Sequence, residues 1–126
     1  MERNPVGWFE IPVSDMDRAI RFYDHVFDYN LEVTPMGPLM MALFPWDEKL
    51  PGAPGSLVFH EEFYKPSASQ GVLIYFSCND VAIILDKVKE SGGTVLVEKR
   101  LIAEDVGYMG LFLDSEGNRI ALHSHN

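Results

Sequence analysis

A chain of 126 residues in which 47% of side chains are apolar, with eight Phe, five Tyr and two Trp, is sized for one domain and carries enough apolar surface to offset the entropy of ordering it; a separate regulatory domain and a disordered chain are both excluded. Nineteen Asp and Glu against ten Lys and Arg leave a net charge of −9, a field that repels phosphate and attracts cations, so neither nucleic acid nor a membrane surface is expected as a partner. The single cysteine, Cys78, cannot close an internal disulfide, the N-terminal segment has no basic stretch followed by an apolar one, and no apolar run approaches the roughly 20 residues of a membrane span, which together give a cytoplasmic expectation.

In chain order, Trp8 to Val13 is rich in β-formers and reads as a strand. Ser14-x-x-Asp17 follows as a capping box. Met16, Ala19, Ile20, Tyr23, Val26 and Phe27 then recur at steps of three and four, one apolar stripe on a helix. Short apolar runs come next, Leu31 to Thr34, Met40 to Phe44 and Ser56 to His60, punctuated by Pro35, Gly37, Pro38, Pro51, Gly52, Pro54 and Gly55. Phe63 to Gln70 reads as a linker. Beyond it Leu73 to Cys78 is a strand, Asn79 or Asp80 a cap, and Val81, Ile84, Leu85 and Val88 a second stripe ended by Gly92-Gly93. Thr94 to Glu98, Tyr108 to Leu113 and Arg119 to Ser124 complete the strands, the last two joined through Asp114 to Asn118.

The two halves repeat. Val13 to Ile20 lies on Cys78 to Leu85, and Leu57-Val58-Phe59-His60 on Ile120-Ala121-Leu122-His123. The chain therefore reads βαβββ twice, an α+β fold in one domain, 1–126, with a first module at about 5–62, a linker at about 63–70 and a second module at about 71–125. A unit of about 60 residues buries too little surface to be robust alone, so the modules should pack together, with a ligand at their seam.

Val13-x-Asp15-x-x-x-Ala19-x-x-Phe22-Tyr23 and Phe112-x-Asp114-x-Glu116-Gly117-Asn118, with Ser115 where a proline is usual, make the chain similar to the vicinal oxygen chelate superfamily, which includes glyoxalase I, extradiol dioxygenases, methylmalonyl-CoA epimerase and the fosfomycin and bleomycin resistance proteins. The resemblance implies an open, cup-shaped mixed sheet with helices outside and a divalent metal held by His, Gln or Glu from the first and last strands of each module. It also implies a homodimer, formed through sheet edges or by exchange of modules. The metal positions carried over are Trp8, Val58, Leu73 and Ala121, none of which offers a suitable oxygen or nitrogen donor. The expectation is a member without a cofactor, in which any divalent metal would bind away from the usual positions; metal-dependent glyoxalase I or extradiol dioxygenase activity is not expected.

One pleat along each strand, about 6.5–7 Å away, the same face carries Glu10, His60, Tyr75 and His123. Trp8, Met40, Phe44, Trp46, Tyr108 and Phe112 would line the cup if they face it, although strand alternation forbids all of them from doing so. Met36, Met40 and Met41 offer adaptable cover or core filling. The Pro- and Gly-rich stretch from Trp46 to Ser56 has the length of a lid. The leading reading is a protein that binds a small aromatic or cationic molecule without the usual metal. The alternative is a lyase or isomerase using Glu10 as base and His60 or His123 as acid on a carbonyl substrate. Two further readings are a displaced metal on Glu10, His60 and His123, and an interaction role in which the exposed Met and aromatic side chains form an interface. His25 and His125 read as surface residues.

Overall fold

The computed structural model describes residues 4–126. It contains β1 (Phe9–Pro12), α1 (Met16–Phe27), β2 (Val33–Met36), β3 (Leu39–Leu43), β4 (Gly55–Phe59), β5 (Ile74–Ser77), α2 (Val81–Glu90), β6 (Thr94–Ala103), β7 (Gly107–Leu113) and β8 (Arg119–Ser124). The order is βαβββ twice. Helix α1 buries Met16, Ala19, Phe22, Tyr23 and Val26, so its apolar stripe includes Phe22, while Ile20 and Phe27 flank the core. Its N-cap is Asp15, whose carboxylate accepts from the Arg18 amide at 3.1 Å. Asp15 stands in place of the capping box expected at Ser14, whose amide donates to Glu116 of the other module at 2.8 Å. Asp80 caps α2, and Gly92 follows it in the left-handed region, φ 86°. Strand β2 starts two residues later than the apolar run and includes Pro35, tolerated because β2 is an edge.

Hydrogen bonding defines two four-stranded mixed sheets, β1-β4-β3-β2 and β5-β8-β7-β6. The β1–β4 and β5–β8 pairs are parallel and the others antiparallel. Register sorts the side chains by face. On the helix side, Ile11 stands beside Leu57 and Leu57 beside Ala42; in the second sheet Phe76 stands beside Leu122 and Phe112 beside Ile120. The opposite faces carry Glu10, Ser56, Val58, Met41 and Leu43 in the first sheet and Tyr75, Ala121, His123, Met109 and Leu111 in the second.

A single core joins the two modules, built from the helix-side residues of both sheets and from both helices. Helix α1 touches both sheets through consecutive residues. The Tyr23 ring lies 5.5 Å from Phe44 of the first module, and the Phe22 ring 6.1 Å from Phe112 of the second. Met41, Val58, Met109 and Ala121 are also buried, yet lie outside this cluster on the opposite faces. Thus the faces of both sheets opposite the helices point away from the shared core.

The β7–β8 hairpin clasps the β1–α1 elbow. Asn118 donates to the Pro12 carbonyl at 2.7 Å and Tyr23 to Asp114 at 2.8 Å. Glu116 accepts from the Ser14 and Asp15 amides, both at 2.8 Å, and pairs with Arg18 at 2.7 Å. Among the described residues, no helix is long and apolar enough to cross a membrane.

Candidate functional site

At the four positions where the resemblance implies metal ligands, the chain supplies an exposed indole, a half-buried leucine and two fully buried aliphatic side chains, Val58 and Ala121. The indole of Trp8 is committed, its Nε1 donating to Glu10 at 3.2 Å. This donor set does not fit a divalent ion, which needs carboxylate, imidazole or thiolate ligands.

Glu10 is fixed in place on its strand. Tyr64 from the linker donates to Oε1 at 2.6 Å and Trp8 donates to Oε2. Trp8 and Glu10 are two residues apart and so share one face. The hydrogen bond to Glu10 pushes the Tyr64 hydroxyl upward from its ordinary value. Beside Glu10 in the register lies Ser56, fully buried, whose Oγ has no hydrogen-bond partner.

The other candidate residues are distributed as follows. His60 leaves the end of β4, accepts from the Glu62 amide at 3.1 Å and packs on Phe63 with ring centroids 4.9 Å apart. His123 stands on the second sheet and donates from Nε2 to the Val106 carbonyl at 2.6 Å. Tyr75, 51% exposed, stands beside Ala121 on the same face. Among the described residues, no three His, Cys, Asp or Glu side chains gather closely enough to hold an ion. Glu10, His60 and His123 are therefore not brought together.

Four of the lining candidates lie on the helix side of the sheets. Met40 shares the helix-side face with Phe59, and Phe44 is buried in the core, 5.6 Å from Phe9. Tyr108 packs against the core with Lys99 Nζ 4.5 Å over its ring, and Phe112 is fully buried. Met40, Tyr108 and Phe112 each sit one residue out of phase with the outward face of their strand, and Phe44 follows β3 directly.

Phe44 still borders open space, because the seam between the modules contains a cavity of about 500 Å³. Phe9, Phe44 and Phe76 line it. Phe9 and Phe44 stack at 5.6 Å, while Phe76 meets both edge-on, at 6.1 and 5.5 Å. Tyr29, the β5 strand and the Pro45 to Ala53 loop, with Trp46 and Leu50, also line it. Trp46 is 54% and Leu50 64% exposed. Burial pushes the Tyr29 hydroxyl upward. Asp47 adds a carboxylate at the rim, tied by Oδ1 to the Lys49 amide at 2.9 Å. Sequence reasoning missed Phe9, Tyr29 and Phe76. The available signal was aromatic density on both seam strands, which parity alone assigns wholly to the core.

Comparison with known proteins agrees with this geometry. Residues 6–122 match the family model of the Glyoxalase/Bleomycin resistance protein/Dioxygenase superfamily. A glyoxylase-like domain-containing protein from Didymella fabae is 25% identical over 124 residues, covering 93% of this chain and 91% of that protein. Among solved structures, a glyoxylase/bleomycin resistance protein/dioxygenase domain from Frankia sp. EAN1pec superposes with a TM-score of 0.75 at 14% identity, covering 99% of this chain and all of that one. TnmS3, an antibiotic binding protein from Streptomyces sp. CB03234, superposes with a TM-score of 0.68 at 27% identity, with 98% of each chain covered. A glyoxalase I mutant from Zea mays gives 0.69 at 16% identity over 96% of this chain. This chain spans 47% of that one.

Proposed function

Since the chain belongs to the Glyoxalase/Bleomycin resistance protein/Dioxygenase superfamily, we propose that it is a binding member of that family, one that takes up a small planar aromatic molecule bearing a positive charge and does so without the usual divalent metal. The observation that carries this reading is the aromatic-lined seam cavity in a chain whose four family metal positions are Trp8, Val58, Leu73 and Ala121. A cavity of this size lies within the range that takes up drug-sized ligands. Its aromatic rings favour offset or edge-to-face contact with a planar guest. The Asp47 carboxylate and the net charge of −9 favour a cationic one. TnmS3, whose described role is antibiotic binding, lends support from a protein of the same fold.

An acid–base enzyme built on Glu10 finds less support. His60 accepts from the Glu62 amide, and His123, on the other sheet, donates to the Val106 carbonyl, so both candidate acids are engaged elsewhere.

The protein acts as a cytoplasmic homodimer in this reading. The outward faces carry exposed Trp8, Leu43 and Tyr75, and a second copy set against them would complete a cup from one face of each chain. Light scattering should give twice 14.3 kDa; a monomer at working concentration would contradict the pairing. The binding reading is tested with the tryptophan of the cavity. In a Trp8→Phe background the one remaining indole is Trp46, and its fluorescence should be quenched saturably by a planar cation such as proflavine. Asp47→Asn should weaken proflavine while leaving a neutral planar analogue unchanged. No quenching, or equal weakening of both, would contradict the reading.

A further inference from the structure

A second, smaller cavity of about 240 Å³ lies where β1 faces the linker and the start of β8. Its lining combines two chemistries. Val72 and Ile74 bring apolar side chains to it, while Glu10 and Arg119 bring opposite charges to the same small space. Both charged residues are half-buried. They form no ion pair with each other: the ion pairs among the described residues are Arg18 with Glu116, His25 with Glu90, Lys89 with Glu98 and Lys99 with Asp80. The Arg119 guanidinium also has no hydrogen-bond partner among the described residues, whereas Glu10 is oriented by Tyr64 and Trp8.

A half-buried guanidinium without a carboxylate is an unmet fork of donors, suited to the two oxygens of a carboxylate. The nearby Lys65 ammonium does not fill this role, being turned to the Glu61 carbonyl. The oriented carboxylate of Glu10 suits an ammonium group. We infer that this cavity is a site for a small α-amino acid with an apolar side chain, its carboxylate on Arg119, its ammonium toward Glu10 and its side chain against Val72 and Ile74. A ligand with only one of the charges leaves the other protein charge unmatched in a restricted space, so both should be required together. The inference goes beyond the aromatic cavity and does not depend on it, since Arg119 lines only the smaller space of the two.

Titration calorimetry of the full chain with L-valine tests it, with isobutyrate and isobutylamine as probes that each carry one of the charges. L-valine should bind at least tenfold more tightly than either. Arg119→Met should weaken L-valine at least tenfold while proflavine quenching of Trp46 is unchanged, which separates this site from the seam cavity. Glu10→Gln should weaken L-valine but not isobutyrate, and supplies the test if Arg119→Met fails to fold. The inference is overturned if folded wild-type protein gives no heat with L-valine, if isobutyrate binds as tightly, or if neither variant changes the L-valine affinity.

Discussion

Gly55 and Phe9 show how a single missing Cβ shapes the seam. Gly55 is buried, and a Cβ there would collide with the Phe9 ring. With no side chain at 55, Phe9 lies flat enough to stack on Phe44 and meet Phe76. Gly55→Ala should therefore displace a ring lining the cavity, destabilising the protein by about 1–3 kcal/mol, as overpacking usually does. Denaturant unfolding measures the loss, and proflavine binding should weaken with it. At the same scale, the Tyr23 hydroxyl is buried and donates to a largely buried carboxylate, Asp114. Burial, followed by the neighbouring Asp114 charge, pushes that hydroxyl well above its ordinary value. Tyr23→Phe removes one donor from a carboxylate that keeps the Asn118 amide and should cost about 1–3 kcal/mol in the same measurement.

At the scale of elements, the clasp of the β7–β8 hairpin on the β1–α1 elbow makes stability depend on pH. Burial pushes Glu116 up, but the Arg18 guanidinium and the Asp15 and Ser14 amides outweigh it and bring Glu116 below its ordinary 4.5. A depressed carboxylate favours folding above its unfolded value and loses that contribution as pH falls through the folded one. Asp114 works in the opposite sense. Its burial outweighs the donors from Asn118 and Tyr23 and holds it above 3.8, so its contribution is greatest below that value and is lost as pH rises. In Glu116→Gln the first effect is gone. The gap in Tm between wild type and Glu116→Gln should be widest at neutral pH and close as pH falls below 4.5; a gap that widens on acidification would contradict the assignment.

Elements also show what the sequence made readable. The two motifs marked the β1–α1 elbow and the last hairpin, and the structure shows that these segments bind each other. Strand parity was secure for β1, β4, β5 and β8, where a motif or the repeat supplied an anchor. It was not secure for β3 and β7. There the face is set by antiparallel register, Met41 beside Val58 and Met109 beside His123, and register follows from turn lengths and packing. For that reason the sequence left open which of the lining candidates fill the core; Met40, Tyr108 and Phe112 face the helices, and Phe44 borders the seam cavity. Asp15 rather than Ser14 caps α1 because the helix starts at Met16; Glu116 of the other module accepts from both the Ser14 and Asp15 amides, contacts about a hundred residues distant in sequence and invisible to local pattern.

At the scale of the whole molecule, the modules are held by a core common to both sheets and both helices. The sheet faces opposite the helices are turned outward, and the seam is left with the aromatic cavity. The absence of metal-ligating side chains at the four family positions and the charge of −9 lead to one account: the seam takes an aromatic cation directly, with no ion as intermediary. Calorimetric titration of proflavine into chelator-treated protein, repeated with zinc or nickel added and again with Ala53→Phe, tests that account most directly, since Ala53 lines the seam cavity. The account predicts saturable binding that metal leaves unchanged and that the phenyl ring at 53 weakens at least tenfold. Binding that appears only with metal, or that Ala53→Phe leaves intact, would contradict it.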